Sequence, residues 1–417
     1  MTGATGSNKA GIYLDHVNEC TISNNTASGN QYGIFLYDSS NNNLIRNIVS
    51  NNNVGIHLRP WSNNNTLAGN TANSNSWFGI YLDDESNNNL TGNTANSNSW
   101  SNIHLLDSSN NTLTGNTASN KANNGIYLAG SSYNTLTDNT ASNNSIWGIQ
   151  LHQSSSNNLT SNNASNNNYF GINLDSSSNY NNLTGNTVNS NNNYGIYLDS
   201  SNDNHIYNNY FDNAINAYDD GTNIWNITKT AGTNIVGGSW LGGNYWSDYT
   251  GEDTDGDGLG DTLTPYNCSG NITSGGDWLP LVPIFDTGEG TYPSISGTFT
   301  GTIVPSSDIN VSTLYTYPCL GTGGHTESIE LYDDGVPLAT GTWNGYVGDW
   351  HNVTLTSTVT LLKDHEYRYV IVTGSYPQII HAESKDVTGG VITCEEFVDV
   401  NGVVYDDWIP AIRLWEE

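Results

Sequence analysis

A short acidic loop past the middle of the chain has the residue types and spacing of a metal site. Four aspartates fall within nine residues, and three glycines lie among the last three of them. Calcium loops place carboxylates at positions 1, 3 and 5, a turn-forming glycine at position 6 and a backbone carbonyl at position 7. Without a cation, carboxylates packed this closely repel one another strongly. The spacing therefore predicts a structural Ca²⁺ held by Asp253, Asp255, Asp257, Asp261 and the carbonyl of Leu259.

The loop differs from an EF-hand at its twelfth position, where Thr264 replaces the bidentate glutamate. We therefore expect Asp261 to bind the ion directly, with Asp248 or Asp277 completing the coordination shell. The alternative is an acidic turn without an ion.

A second group of chemically capable residues lies on adjacent repeats in the first half of the chain. It comprises His57, Arg59, Asp83, Asp84, Glu85, His104 and Asp107. Carboxylates and imidazoles can transfer protons to sugars, and an arginine can neutralise a uronate carboxylate. One interpretation is a carbohydrate-active enzyme, a polysaccharide hydrolase or lyase, with its site near Asp83. The favoured interpretation is a solvated charged patch, because the outward-pointing position of the repeat varies freely.

A third candidate is a group of aromatic residues near the C-terminus. Flat rings beside asparagine and aspartate can stack on sugars and hydrogen-bond their hydroxyls. The alternative is that these rings pack against the core of their own domain. The predicted binding residues are Trp343, Tyr346, Trp350 and Tyr376.

Nine segments of 22–24 residues precede these candidates and share a Gly-Ile-x-Leu marker. Apolar residues recur two apart between turns rich in asparagine, serine and glycine, which indicates short strands and no helix. A fixed period of this length predicts a right-handed parallel β-helix of about nine rungs. The markers begin at Gly11, Gly33, Gly55, Gly79, Gly125, Gly148, Gly171 and Gly195, with a degenerate Asn102-Ile103-His104-Leu105.

A second marker, Leu-x-x-Asn, recurs with the same period. Identical residues of successive rungs stack about 4.8 Å apart, so each side-chain amide can donate to the next one. We therefore expect one buried asparagine ladder that runs from Asn47 to Asn209.

The repeats resemble those of NosD-like parallel β-helix proteins, a family common among exported proteins of archaea and bacteria. The resemblance extends to the segment after the last rung, through Asn216–Gly221, Trp225-Asn226 and Gly242–Tyr249, and covers about residues 8–285. It implies the fold, whereas the family has many roles. The copper role that gave the family its name transfers poorly, because Met1 is the sole methionine and the histidines are scattered.

Composition points to an exported protein. Forty acidic residues against nine lysines and arginines give a formal net charge of −31. This charge argues against nucleic acid or anionic membranes as partners, and no segment is apolar enough to insert into a membrane. We expect a leader, a cap and further rungs to precede residue 1. Cys319 and Cys394 are close enough in sequence to pair, while Cys20 and Cys268 are expected to lie too far apart.

The sequence predicts three parts: β-helix repeats at 1–215, a closing segment with the calcium loop at 216–285, and a β-sandwich at 286–417. The sandwich resembles modules of archaeal surface proteins. Its expected strands are 297–304, 329–332, 353–359, 366–372 and 409–415. We therefore expect a non-catalytic extracellular or cell-surface protein that engages glycan or a cell-envelope protein.

Overall fold

The computed structural model describes residues 9–415 except 121, 237, 239, 252–257, 283–284, 307–308, 320–323, 346–350, 375 and 388. In this part of the chain, the one helical element is a 3₁₀ turn at Cys268–Gly270, and all other regular elements are strands. The chain forms two compact units. The first contains Met1–Ile227, Gly243–Tyr249 and Thr264–Pro280, and the second contains Thr228–Gly242, Thr250–Leu263 and Leu281–Glu417.

The first unit is a β-solenoid of about nine turns, which confirms the predicted parallel β-helix. Its longest side, here called sheet 1, is a parallel sheet of ten strands. Those strands are Ala10–Asp15, Tyr32–Tyr37, Val54–Arg59, Phe78–Asp83, Ser101–Leu106, Asn124–Ala129, Trp147–His152, Phe170–Asp175, Tyr194–Asp199 and Ile215–Asp219.

The second side, sheet 2, is a parallel sheet of nine three-residue strands. They are Thr21–Ser23, Asn43–Ile45, Thr66–Ala68, Asn89–Thr91, Thr112–Thr114, Thr135–Thr137, Asn158–Thr160, Asn182–Thr184 and His205–Tyr207. The third side consists of single bridges along most of its length and ends in a three-stranded sheet of Thr187–Asn189, Tyr210–Asp212 and Tyr245–Trp246.

Each turn places the same residue types over those of the turn before. In sheet 1, Ile80 pairs with Ile103 and Leu82 with Leu105, and all four side chains are fully buried. Sheet 2 adds one buried leucine or isoleucine per rung, and the third side adds a small residue such as Ala72. The interior is therefore a set of apolar columns, as the two-residue periodicity predicts.

The predicted asparagine ladder is confirmed. From Asn47 to Asn209, each side-chain Nδ2 donates to Oδ1 of the next asparagine at 2.8–3.0 Å. Each Oδ1 also accepts from a backbone N–H of the preceding rung, as in the 2.9 Å bond from Asn116 to Asn139. These side chains satisfy buried turn groups that would otherwise lack partners.

Two further asparagine ladders were not predicted. One contains Asn42, Asn65, Asn88, Asn111, Asn134, Asn157, Asn181, Asn204 and Asn223. The other leads from Asn30 to Asn98 and resumes from Asn144 to Asn213.

Asn102 bridges the interruption in this last ladder. The periodic asparagine is replaced in the sequence by Lys121, and Asn102 stands where the marker glycine stands elsewhere. The Asn102 Oδ1 accepts from Nδ2 of Asn98 at 2.9 Å, and its Nδ2 donates to Oδ1 of Asn144 at 3.1 Å. The degenerate marker thus compensates for a missing ladder residue.

The marker glycines are required by the ladder beside them. A Cβ at Gly148 would lie 2.6 Å from Nδ2 of Asn167 and 2.6 Å from the carbonyl oxygen of Gly171. Real Cβ atoms do not approach backbone this closely, so only glycine lets the strand pass the stacked amides.

Two buried aspartates organise the closing segment of the first unit. Asp219 accepts from the indole of Trp225 at 3.0 Å, and Asp277 accepts from the indole of Trp246 at 2.9 Å. Asp277 is fully buried, and this burial raises its pKa to about 7. Asp248 accepts from Asn216 and Tyr266. Both aspartates suggested for the calcium shell, Asp248 and Asp277, therefore have hydrogen-bond donors within this unit.

The second unit contains a separate antiparallel, nearly closed β-sheet around its own core. It has twelve strands: Phe285–Asp286, Gly297–Pro305, Ile309–Thr316, Thr326–Asp333, Val336–Thr342, Asn352–Leu361, Tyr367–Thr373, Ser384–Val387, Gly390–Thr393, Glu396–Asp399, Val404–Tyr405 and Ile412–Trp415. A three-stranded sheet contains Tyr292–Pro293, Gln378–His381 and Trp408–Pro410, and Thr230–Ala231 pairs with Trp240–Leu241. Four of the five strands expected from the sequence are present, and additional strands lie between them. The fifth, expected at 409–415, is divided into Trp408–Pro410 and Ile412–Trp415, which belong to different sheets.

Candidate cleft on the outer face of sheet 1

The outer face of sheet 1 carries a column of rings along the rod. Successive rungs place the third marker residue in register, so that Tyr81 lies between His57 and His104. The ring centroids of His57 and Tyr81 are 4.5 Å apart and stacked, and those of His104 and Tyr127 are 4.7 Å apart. Stacking along the column covers side chains that point away from the interior.

The two histidines are consequently buried, at 4% exposure for His57 and 7% for His104. Burial lowers the pKa of His57 and lowers that of His104 to about 4, so both rings are neutral at pH 7. All four ring nitrogens are enclosed and have no hydrogen-bond partner among the described residues. The prediction of a solvated patch is therefore wrong for these residues, because neighbouring rings cover them.

The same correction applies to Glu85. Its side chain is fully buried, and its burial raises its pKa to about 8. Arg59, Asp84 and Asp107 remain exposed. Asp83 forms an ion pair with Arg59, at 3.3 Å between Oδ2 and Nε. The charged cluster thus separates into a buried neutral part and a small exposed ionic part.

A cleft of about 550 Å³ opens farther along this face. Trp100, Tyr127, Ile146 and Trp147 provide its apolar surface, and Gln150, His152, Asp175 and Asp199 are among its polar lining residues. Trp100 is 55% exposed.

The cleft exists because the outer columns lose their rings there. Phe78 pairs in register with Ser101, Ser101 with Asn124, and Asn124 with Trp147. Two small polar residues therefore follow one aromatic residue and precede another. In the neighbouring column, Tyr127 pairs with Gln150, which continues the loss of bulk.

A hydrogen-bonded network holds the polar side of the cleft. The carboxylate of Asp175 contacts the His152 ring through one oxygen, and its other oxygen accepts from Gln150 at 2.9 Å and from Asn173 at 2.8 Å. Asn124 donates to the Gln150 Oε1 at 3.2 Å. The side chains of Gln150, Asn173 and Asn124 are each at least 95% buried. A hydrogen-bonded polar wall in the same cleft as the exposed ring of Trp100 and the half-buried rings of Tyr127 and Trp147 is an arrangement suited to sugars.

Sequence reasoning did not find this cleft. The available signal was the aromatic residue before the marker glycine, which is present at Phe78 and Trp147 and absent at Ser101 and Asn124.

The predicted calcium loop is largely outside the described residues. Asp253, Asp255 and Asp257 belong to the part that is not described, Leu259 is buried and pairs with Leu281, and Asp261 is exposed. Among the described residues, no group of three or more histidine, cysteine, aspartate or glutamate side chains could hold a metal ion. Calcium binding therefore remains a prediction.

The predicted aromatic patch is described in part. Trp343 packs against the core of the second unit and stacks on His325, with ring centroids 4.0 Å apart, whereas Tyr376 is 48% exposed. Tyr346 and Trp350 lie outside the described residues. Cys319 and Cys394 do not form the disulfide that their positions in the sequence allowed.

Family models match the β-helix in two overlapping stretches. The model described as "Periplasmic copper-binding protein (NosD)" matches residues 72–251, and "Right handed beta helix region" matches residues 4–132. The described residues provide no cluster suited to copper. No helix in the described part of the chain has the length and hydropathy needed to cross a membrane. None of the curated proteins compared with this chain matches it.

Several solved structures are similar in fold. The periplasmic alginate epimerase AlgG has 21% identity over 46% of this chain and 47% of its own, with a TM-score of 0.38. Dettilon tailspike protein (gp208) has 13% identity over 86% and 73%, with a TM-score of 0.41. The A-module of Azotobacter vinelandii mannuronan C-5 epimerase AlgE4 has 15% identity over 51% and 67%, with a TM-score of 0.40. The chain spans about half the length of AlgG. The repeats, the solenoid and the two family models identify the chain as a NosD-like parallel β-helix repeat protein.

Proposed function

We propose that this chain is an exported protein, extracellular or at the cell surface, that binds glycan through the outer face of its β-helix without cleaving it. The observation that carries the proposal is the cleft of about 550 Å³ between the rungs of Trp100 and Asp199. The exposed ring of Trp100 and the half-buried rings of Tyr127 and Trp147 offer stacking surfaces, and the buried amides and Asp175 offer fixed hydrogen-bond partners. The net charge of −31 and the match to a family described as periplasmic support export.

Binding is favoured over cleavage by the state of the polar groups. Both oxygens of Asp175 already have partners, so this carboxylate orients a ligand more readily than it transfers protons. Near Asp83, the ring nitrogens of His57 and His104 are enclosed and cannot reach a substrate in this arrangement. The enzymatic alternative, a polysaccharide hydrolase or lyase near Asp83, has the weaker support.

The test is a binding assay of the whole chain on a panel of soluble polysaccharides, by affinity electrophoresis and then calorimetry. Trp100→Ala removes an exposed ring from the cleft, and Asn124→Phe restores the bulk that Phe78 provides two rungs earlier in the column. We expect the first to weaken binding about three- to tenfold, in line with roughly 0.5–1.5 kcal/mol for a ring contact. Asn124→Phe should block polysaccharide binding, because its ring fills the cleft.

Trp61→Ala is the matched control, because Trp61 is 61% exposed and does not line the cleft. Its affinity should equal that of the wild type. Reducing ends and unsaturated sugars are measured in the same samples. Polysaccharide binding that is insensitive to Trp100→Ala and Asn124→Phe would contradict the proposed site, and release of products would favour the enzyme.

A further inference from the structure

The stacking surface of the cleft continues beyond it along one edge of sheet 1. Trp77 occupies the same position as Trp100 one rung earlier, and the Trp100 N–H donates to the Trp77 carbonyl at 2.9 Å. Trp77 is 59% exposed. Beyond the cleft, Tyr169 follows Ile146 in the same column, with a 3.0 Å backbone bond between them, and is 45% exposed. Exposed rings thus stand on both sides of the cleft.

The length of this edge indicates the size of the ligand. Trp77 and Tyr169 are four rungs apart, which corresponds to roughly 19 Å at about 4.8 Å per rung. One rung is close to the length of one sugar in an extended chain. A single sugar or a disaccharide would fill the cleft alone, whereas a chain parallel to the rod would reach rings at both ends.

The charges of the face indicate the chemistry of the ligand. Asp175 and Asp199 line the cleft, and the described residues of its lining include no lysine or arginine. On the described part of this face, the exposed Arg59 already pairs with Asp83. A polymer of uronates would therefore meet the carboxylates of Asp175 and Asp199 on a chain whose formal net charge is −31.

We infer that the ligand is an uncharged polysaccharide chain that lies parallel to the axis of the β-helix and spans about five rungs. This inference rests on the glycan-binding function proposed above. Trp100 and the polar wall hold the central sugars, and Trp77 and Tyr169 hold the flanking ones.

The experiment measures affinity for a length series of neutral oligosaccharides, from one to eight sugars, prepared from a polymer that the chain binds. Affinity should rise steeply with length up to five or six sugars and then level off. Trp77→Ala should weaken binding of the hexamer about three- to tenfold, and binding of the disaccharide should not change. Trp100→Ala should weaken binding of both the hexamer and the disaccharide. Trp61→Ala should change neither.

The outcomes separate the two proposals. If no oligosaccharide binds, the glycan-binding function fails. If the disaccharide binds as tightly as the hexamer, or Trp77→Ala leaves hexamer affinity intact, glycan binding stands and the axial chain is refuted. A matched series of uronate oligomers completes the test. Uronates that bind as tightly as the neutral chain at low salt would refute the assignment to an uncharged polymer.

Discussion

Replacing Glu85 by serine should stabilise the β-helix, and the gain should grow with pH. Glu85 occupies a column that otherwise consists of buried serines, whose hydroxyls bridge adjacent rungs. The backbone N–H of Ser39 donates to Ser62 at 3.2 Å, and those of Glu85 and Ser108 donate to the next hydroxyls at 3.0 and 2.9 Å. Both carboxylate oxygens of Glu85 are enclosed, and the cost of burying them outweighs the effect of the backbone N–H of Ser62, which favours the charged form. A serine would restore the column.

The magnitude follows from the pKa of the buried carboxyl. Burial raises it from an ordinary 4.5 to about 8. Between these pH values the unfolded chain has lost the proton that the folded chain keeps, so the free energy of unfolding falls as pH rises. At about 1.4 kcal/mol per pKa unit, the loss approaches 4–5 kcal/mol above pH 8. The serine variant lacks this loss.

The assay is urea unfolding of wild type and Glu85→Ser at about pH 5 and about pH 8.5, followed by tryptophan fluorescence. The difference in free energy of unfolding between the two proteins should be several kcal/mol larger at the higher pH. Ser108→Glu, one rung away in the same column, is the mirror control and should steepen the pH dependence. A pH dependence that is the same in wild type and Glu85→Ser would refute the reasoning.

Three other predictions follow from buried groups and from the acidic loop. Because the pKa of His104 is about 4 in the folded chain and 6.5 in its ordinary state, stability should fall by up to about 3 kcal/mol as pH drops from 6.5 to 4, and acid unfolding of His104→Gln should show a smaller fall. Asn102→Gly removes the bridge in the interrupted ladder and should lower the free energy of unfolding in urea by roughly 1–3 kcal/mol. Adding Lys121→Asn to this variant should recover most of that loss. If the effects of the two substitutions are independent and additive, the proposed compensation is wrong. Chelation by EDTA should lower the thermal midpoint by roughly 2–4 °C for each kcal/mol of binding energy, and Asp255→Asn should abolish the difference; a midpoint unaffected by EDTA would count against calcium.

The interior of the β-helix could be predicted because its residue types repeat with one fixed period. Ile80 and Leu82 repeat with a fixed period, and each side chain meets a copy of itself one rung away. The ladder from Asn47 to Asn209 follows from the same rule. The two unpredicted ladders carry an equally regular signal, since Asn42 and Asn65 begin a series with that period.

The outer face could not be read in the same way. The alternation of a strand shows that His57 and His104 point away from the interior, but not that rings from adjacent rungs cover them. Burial there depends on which side chains meet across rungs, and hence on register. In the second unit, Phe285 pairs with Leu414, and no local pattern indicates a pairing over such a separation.

The place of the cleft is encoded by exceptions to the repeat rather than by the repeat itself. Interior columns have few exceptions: Asn102 compensates for the one at Lys121, whereas the one at Glu85 lowers stability. The outer columns of sheet 1 have no ladder to maintain, so ring loss at Ser101 and Asn124 leaves the core intact and opens a hollow between Phe78 and Trp147. The outer residues of a solenoid can therefore change from rung to rung and alter its binding surface, because the interior ladders continue to stabilise the fold. The residues that break the outer pattern are, for this reason, better guides to function than the residues that repeat.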